Sequence, residues 1–371
     1  MKRLAGAAFA VAVATGLLVA PTAAHAASNP TQILSIADGP GKQQAMQNAL
    51  SYWTADNLGK INEAVVYDHT STDPNSVVPD ADMTDPNADW DDLSRPWPEA
   101  QGLASRTVGK LFVRMQGDGV DYVTTCSANV VTSANKSVVM TAGHCLRVNV
   151  PLLSNVTATN VAFVPGFDGD VLRRSSTTRS VADIAPYGIW VATRAYITWG
   201  WNFSPNWVLG HDVGTLVVQR PGDSQRIEDV TGAQQITFTR PQNAYVHALG
   251  YPANNERSWY SPTQNKVAPA LQRLYDGRRM FFAKGQSTTG SLYVDNMLPS
   301  ALSPGTSGGP FFYNFNEATG TGVQMGVASR FDDPNNATPA GWLLGPNIVG
   351  NHLGDEERLA YEAAGNVTIT Q

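Results

Sequence analysis

The sequence is poor in cysteine and in charge. Of its 371 residues two are cysteine, and Asp, Glu, Lys and Arg together make up 15%, against about a quarter in an average globular chain. The formal net charge is −6 and no run of lysine or arginine occurs, which argues against a nucleic-acid-binding surface. The sequence also lacks a metal-ligand cluster and a cofactor motif, so we expect neither a metal nor a cofactor.

Long apolar runs are missing after the first residues, so no second segment could cross a bilayer. The N-terminus has the pattern of a secretory signal. Lys2 and Arg3 precede an uncharged apolar stretch, Leu4 to Ala20, and Ala24-His25-Ala26 fits a small-x-small cleavage site. We therefore predict a signal peptide over 1–26 and an exported protein with no membrane attachment after cleavage. A retained membrane anchor is the alternative.

The two cysteines are Cys126 and Cys145. In an exported protein, a pair at this separation predicts one disulfide. Such a bridge would tie the segment around Cys145 to the preceding strand. Two free buried thiols are the alternative.

The composition divides the chain near residue 103. Residues 42–67 have a helix-compatible composition, and an acidic, proline-rich stretch follows between Pro79 and Pro98. Such a stretch cannot bury much apolar surface and is typical of a solvated linker. Its aspartates faintly suggest calcium, but the glycine and terminal glutamate of an EF-hand loop are missing. We interpret 27–103 as a pro-segment with a linker.

From residue 104 onward, short β-type runs alternate with turn residues. Six runs precede residue 225 and six follow residue 230, so we predict an all-β domain of two six-stranded antiparallel barrels, at about 107–225 and about 230–350. One late helix is expected over Glu356 to Ala364, with Gly365 as its stop. The predicted strands are 109–116, 121–132, 137–140, 160–164, 187–193, 213–219, 236–239, 244–250, 280–284, 292–297, 310–314 and 322–329.

Two short motifs carry the candidate chemistry. Thr141-Ala142-Gly143-His144-Cys145 puts a histidine on a turn after an apolar run, and Gly305-Thr306-Ser307-Gly308-Gly309-Pro310 puts a serine in a glycine-rich turn. A serine hydroxyl needs a neighbouring base, and donors for the negative charge that develops during attack. His144 is the candidate base, Ser307 the nucleophile, and the N–H groups of Gly305 and Ser307 the oxyanion hole. Taken alone, each motif could also be an ordinary loop.

A catalytic histidine needs a carboxylate that fixes its tautomer. Asp212 stands at the head of the apolar run Val213 to Val218, where it would be buried and aimed. Asp183 is the rival, but Pro186 follows it closely and no long apolar strand does. We favour Asp212; an ordinary turn cap is the alternative for either aspartate.

In the order His144, Asp212, Ser307, these motifs resemble those of chymotrypsin-like serine proteases. The resemblance covers roughly 105–365, and Gly109 to Val113 and Leu249 to Pro252 are similar to segments of bacterial secreted glutamyl-endopeptidase-type peptidases. It implies two Greek-key barrels with the triad in the cleft between them, a protein or peptide substrate, and an N-terminal pro-segment that is removed. We expect a monomer.

Three departures bear on specificity. Thr306 replaces the aspartate that pairs with a new N-terminus in animal enzymes, so that activation switch should be absent. Ala301, six residues before the serine, supplies no counter-charge for Arg or Lys. In the substrate-pairing strand, Ser329 is a candidate to orient Asp212, Arg330 is either a receptor for an acidic side chain or a solvated surface residue, and Phe331 is a candidate to narrow the pocket. We predict cleavage after a small or apolar residue.

Two further points stay open at this level. The tryptophans Trp190, Trp199, Trp201 and Trp207 lie between His144 and Asp212 in the sequence, and either line the cleft or pack in the core. The functional alternatives to an endopeptidase are a non-catalytic binding protein on the same scaffold, and an esterase or cell-wall peptide hydrolase that uses the same triad.

Overall fold

The computed structural model describes a β-rich chain. The described residues are 29–54, 58, 94–98, 101–150, 153–170, 180–203, 210–253, 275–289, 295–300, 302–332 and 347–370. The predicted signal peptide and the acidic stretch up to residue 93 therefore lie outside them.

Strands are numbered in chain order. They are β1 (Thr31–Ser35), β2 (Arg95–Pro96), β3 (Val108–Gly117), β4 (Val120–Val130), β5 (Val138–Thr141), β6 (Arg147–Val150), β7 (Leu153–Pro165), β8 (Trp190–Ile197), β9 (Gly214–Gln219), β10 (Gln235–Ile236), β11 (Tyr245–Gly250), β12 (Phe281–Gln286), β13 (Thr288–Thr289), β14 (Asp295–Pro299), β15 (Pro310–Asn316), β16 (Thr321–Asp332) and β17 (Asn347–His352). The helices are α1 (Lys42–Tyr52), α2 (Ala104–Thr107), α3 (Val181–Ile184), α4 (Trp199–Phe203), α5 (Ile227–Thr231) and α6 (Asp355–Gly365).

The first sheet closes into a barrel. Its hydrogen-bonded order is β8-β9-β5-β4-β3-β7, and β7 pairs again with β8. The β3–β4 hairpin turns at Asp118 and Gly119, which both have positive φ, because a two-residue turn must match the twist of the strands it joins. The predicted six-stranded barrel is confirmed. The edge strand β6 was not predicted.

Strand β3 is buried on both faces over most of its length. Leu111, Val113 and Met115 point into the core of the first barrel. Phe112, between them, points the other way into an aromatic cluster that it shares with Tyr251 and Phe282 of the second sheet. The strand thereby joins the two halves of the molecule.

The second sheet is curled into a half-barrel with the order β14-β17-β16-β15-β11-β12. Phe281, Phe311 and Ile348 lie in its core. The all-β prediction of a two-barrel fold is confirmed, although within the described residues no strand pairing joins β12 to β14. Strand β17 was missed, and the predicted strand over 236–239 is only the two-residue β10. Asn351 and His352 interrupt the apolar pattern of β17, and both are buried.

Part of the expected pro-segment packs against the first barrel. Strand β1 extends the sheet by pairing with β8, and helix α1 follows within the region of helix-compatible composition. Lys42 is buried, with its ammonium 3.0 Å from the Thr370 carbonyl oxygen. Trp53 is inserted beside Phe112. Whether this segment is removed on maturation remains a prediction.

The late helix is confirmed as α6, within one residue of its expected bounds. Ala360 and Ala364 are buried, and the Thr215 hydroxyl of β9 donates to the Ala360 carbonyl, so the helix rests on the first barrel. In the part of the chain that the structure describes, no helix has the length and apolar character needed to span a membrane.

Candidate active site

His144 lies on the turn that follows β5. Gly143 must be glycine here, because a Cβ at that position would lie 2.7 Å from the indole of Trp201. The backbone N–H of His144 donates to Asp212 Oδ1 at 2.7 Å. The turn therefore brings the histidine backbone, and not only its ring, to the predicted carboxylate.

Asp212 stands just before β9 and is 1% exposed. Its Oδ2 lies 2.7 Å from His144 Nδ1, so one carboxylate contacts the histidine at two points. The backbone contact holds the histidine turn, and the Nδ1 contact orients the imidazole ring. With a carboxylate at Nδ1, the ring carries its proton there, and Nε2 is then the basic nitrogen of the imidazole.

The second sheet supports this carboxylate. The Ser329 hydroxyl donates to Asp212 Oδ2 at 2.6 Å, as the sequence suggested. The N–H of Asp212 donates to Asn351 Oδ1 at 2.9 Å, and the Asn351 amide group donates to the buried Asp295. Asn351 and Asp295 were not found from the sequence, because neither lies in a recognisable motif.

Cys126 and Cys145 form the predicted disulfide. Cys145 Sγ lies 3.7 Å from His144 Nε2 and 3.8 Å from the Ser307 carbonyl oxygen. The bridge therefore lies against both the histidine and the serine turn, and it fastens the histidine turn to β4.

The serine turn has the backbone expected of an oxyanion hole. Gly305 has φ +102° and Gly308 has φ +79°, values that favour glycine. A Cβ on Gly305 would also lie 2.5 Å from the Tyr251 carbonyl oxygen. Among the residues that the structure describes, the amides of Gly305 and Ser307 donate to no protein acceptor. These two N–H groups are the oxyanion donors that the sequence predicts.

Ser127 of β4 ties the serine turn to the first barrel, and sequence reasoning missed it. Its hydroxyl donates to the Gly305 carbonyl at 2.8 Å and accepts from the Tyr251 N–H at 2.9 Å. Its own N–H donates to the Ser307 carbonyl at 2.7 Å. The serine turn on one sheet is thus held in register with the histidine turn on the other.

Asp183 does not contact His144. It lies in helix α3, where its carboxylate accepts from the Ser180 N–H and hydroxyl, both at 2.9 Å. The backbone hydrogen bond from Ser180, helped by the hydroxyl, lowers the pKa of Asp183. The rival aspartate is therefore the turn cap that its sequence context allowed.

The predicted specificity residues have mixed outcomes. Ala301 lies outside the described residues. Arg330 is buried and pairs with Asp295 at 2.6 Å, so the interpretation as a solvated surface arginine is wrong. Arg330 is buried because its charge is matched by a carboxylate on β14, a non-local pairing that the sequence does not reveal. Phe331 is 8% exposed and belongs to the apolar core of the second sheet.

The tryptophan cluster has no single role. Trp190 is fully buried in the first barrel, and Trp201 packs edge-on against His144 with ring centroids 6.3 Å apart. Trp199 is 40% exposed on the short helix α4. Trp207 lies outside the described residues. Core packing accounts for Trp190, and contact with the candidate site accounts for Trp201.

Comparison with known proteins agrees with this fold. No protein-family model matches the sequence, and no curated protein matches it significantly. The chain is similar to the crystal structure of the protease Anisep from Arthrobacter nicotinovorans (24% identity, TM-score 0.54), with 74% of this chain and 100% of that one covered. It is also similar to the thermostable serine protease AL20 from an extremophilic microorganism (25% identity, TM-score 0.51), with 72% and 100% covered.

A third similar structure is a Glu endopeptidase, at 13% identity and a TM-score of 0.50, with 74% of this chain and 97% of that one covered. Identities this low support a shared fold and leave the substrate open. The described chain therefore has the fold of the chymotrypsin-like serine proteases.

Proposed function

We propose that the chain is an exported serine endopeptidase that cleaves peptide bonds through His144, Asp212 and Ser307. One observation carries the proposal: the buried Asp212 carboxylate contacts both the backbone N–H and the Nδ1 of His144, each at 2.7 Å. An ordinary structural aspartate has no need to fix a partly exposed histidine at two points. The available amides of Gly305 and Ser307 support the same chemistry.

The chemistry follows from these roles. Ser307 attacks the scissile carbonyl carbon while His144 Nε2 accepts the hydroxyl proton. The amides of Gly305 and Ser307 stabilise the oxyanion that forms, at about 3 kcal/mol for each donor. Protonated His144 then gives its proton to the leaving amine, and an acyl-enzyme remains. A water molecule, activated by the same histidine, hydrolyses the ester and regenerates the serine. Asp212 stabilises the imidazolium during both transfers.

We propose a small or apolar residue on the acyl side of the cleaved bond. Arg330, in the candidate substrate-pairing strand β16, is buried and paired with Asp295, which supports a pocket that does not select an acidic side chain. A peptide library with each side chain at that position tests this preference. Cleavage mainly after glutamate or aspartate would contradict it.

We propose further that the protein is exported through the signal over 1–26, acts as a monomer, and loses a pro-segment on maturation. A disulfide is typical of an oxidising compartment, which supports export. Mass spectrometry of the exported protein should find a mature N-terminus near residues 95–107. An N-terminus at Ala27 in fully active protein would contradict removal of the segment.

Covalent labelling of the folded protein with a fluorophosphonate tests the nucleophile. We expect one adduct, mapped by mass spectrometry to Ser307 and lost in His144→Ala. An adduct on another residue, or no adduct on mature folded protein, would contradict the mechanism. Turnover of casein, a simple ester and peptidoglycan then separates an endopeptidase from an esterase or a cell-wall hydrolase.

Asp212 and Asp183 allow a matched test of which carboxylate orients His144. Asp212→Asn should lower kcat by about 10⁴-fold, because the wrong histidine tautomer is then stabilised. Asp183→Asn makes the same chemical change at an exposed helix cap and should leave kcat unchanged. Equal effects of the two substitutions would show that Asp212 has no special role.

A further inference from the structure

The residue before Asp212 has an unusual backbone. His211 has φ +61°, a conformation that few residues other than glycine adopt. Its carbonyl accepts from the Val213 N–H at 2.7 Å and from the Thr198 hydroxyl. The direction in which the chain enters Asp212 is set by this residue, so whatever holds His211 also holds the carboxylate.

The side chain of His211 is held by helix α6. Its Nδ1 lies 2.6 Å from Oε1 of Glu357, which is nearly fully buried. The other oxygen of Glu357 accepts from the Gly354 N–H at 2.8 Å and lies 3.5 Å from Arg240. This carboxylate therefore has a fixed position at the start of the helix, and the histidine is bound to that fixed point.

The neighbouring Glu356 contacts helix α4, which packs on His144. Its carboxylate accepts from the N–H of Gly200, in helix α4. Gly200 also lies close to the His211 ring: a Cβ on Gly200 would be 3.0 Å from both that ring and the Glu356 carboxylate. The next residue, Trp201, is the one that contacts His144. Two adjacent carboxylates of α6 thus support both the segment before Asp212 and the helix that packs on His144.

The charges in this cluster favour an ion pair. Burial alone would lower the pKa of His211, but the hydrogen bond to Glu357 and its charge outweigh burial and raise it above the usual value. Burial would raise the pKa of Glu357, and the contacts with His211 lower it instead. Burial raises the pKa of Glu356. Arg240 is a further charged group beside Glu357. His352 is also close, but burial lowers its pKa to about 4, so it is neutral near pH 7.

We infer that the His211–Glu357 ion pair is a positioning element, which holds Asp212 and His144 in their productive geometry from the C-terminal helix. The inference rests on the proposed function, since it gives the pair a role in that reaction. Neither residue touches the reacting atoms. Their effect is transmitted through the backbone of His211 and through Gly200 to Trp201.

The pair also sets a pH dependence. A histidine with a raised pKa stabilises the fold while it is protonated, and that contribution is lost as pH rises through the raised value. Glu357 has a lowered pKa, so its stabilising contribution to the fold is present above the usual pKa of a glutamate and is lost only as pH falls through the lowered value. Both residues are charged between these limits. Activity should therefore decline on the alkaline side as His211 loses its proton.

The test measures kcat/KM from about pH 5 to pH 10 for the wild type, Glu357→Gln, His211→Gln and the double variant. Glu357→Gln should lower kcat/KM about ten- to a hundredfold near neutral pH, since small misplacements of reacting groups have effects of this size. Its alkaline midpoint should fall, because the hydrogen bond and the charge that raise the pKa of His211 are removed while its burial remains. His211→Gln should remove this part of the alkaline decline, and the double variant should be less impaired than the two single effects predict.

Glu362→Gln is the matched control, because Glu362 lies on the same helix, is exposed, and pairs only with Arg358 among the residues described. It should keep the wild-type pH profile. A profile of Glu357→Gln that superimposes on the wild type would overturn the inference. So would additive effects of the two single substitutions.

Folding and function are separated by NMR on the wild-type protein, which needs no variant to fold. The His211 ring should titrate above the usual histidine value, and the Nδ1 proton of His144 should shift in the same pH range. A His211 ring that titrates without any change at His144 would overturn the positioning role. If both rings respond but the protein hydrolyses no peptide, the positioning inference stands and the proposed protease function fails.

Discussion

Trp53 gives the sharpest test of whether residues 29–54 are part of the folded protein. The side chain is 1% exposed, packs against Phe112 with ring centroids 6.0 Å apart, and donates from Nε1 to Asn160 Oδ1 at 2.7 Å. Burying about 200 Å² of indole at about 25 cal/mol per Å² corresponds to about 5 kcal/mol, an upper bound because unfolded chains are partly compact. Truncations of this kind cost about 3–5 kcal/mol.

We therefore expect Trp53→Ala to lower the free energy of unfolding of the full-length protein by about 3–5 kcal/mol. Urea denaturation followed by far-UV circular dichroism measures it, because tryptophan fluorescence would change with the substitution itself. Trp199→Ala is the matched control: the same side chain, 40% exposed, should change stability by no more than about 0.5 kcal/mol.

A Trp53→Ala protein as stable as Trp199→Ala would refute this reasoning and show that 29–54 rests on the barrel without stabilising it. The result also bears on maturation. If the segment is removed, the mature protein must be stable without strand β1. The same denaturation experiment on mature protein should then show a midpoint that does not depend on a substitution at residue 53.

Three further predictions concern the site and its supports. Ser329→Ala should lower kcat/KM about ten- to a hundredfold, because a hydrogen bond to a buried carboxylate is worth about 1.5–3 kcal/mol; unchanged kinetics would show that Ser329 does not support the carboxylate. Replacing Cys126 and Cys145 by serine should cost about 3 kcal/mol in urea denaturation, and a much smaller loss would contradict the stabilising role of the bridge. Burial lowers the pKa of Lys110 to about 7. Above that pH the unfolded chain binds more protons than the folded one, so the free energy of unfolding should rise with pH from about 7 to the usual lysine range. Urea denaturation at several pH values measures this rise, and Lys110→Met should abolish it.

The elements that could be predicted were those with a local signature. Strands β3, β4 and β9 are rich in β-branched and aromatic residues and are bounded by turn residues, and the helix α6 has a clear start and stop. The histidine turn and the serine turn each occupy a few consecutive residues. The glycines of these turns make close contacts that only glycine permits, so the sequence motif predicts the backbone geometry of the turn.

The elements that escaped prediction depend on distant partners. Strand β1 lies outside the expected protease domain and becomes a strand only by pairing with β8. Strand β17 contains Asn351 and His352, polar residues that are buried because of hydrogen bonds formed across the fold. Arg330 was misplaced for the same reason, since its partner Asp295 is 35 residues earlier.

The candidate site shows the same contrast between residues with a local sequence signature and residues that depend on distant partners. The residues proposed to carry the reaction lie on short turns, where a few neighbouring residues decide the backbone. The residues that hold them, such as Ser127, Asn351 and Glu357, come from strands and a helix that are far apart in sequence. A buried polar side chain is stable only when its partner is supplied, so each of these supports also requires the two halves of the molecule to be correctly packed. The geometry at Asp212 therefore depends on the whole fold, and the pH profile of Glu357→Gln measures that dependence directly.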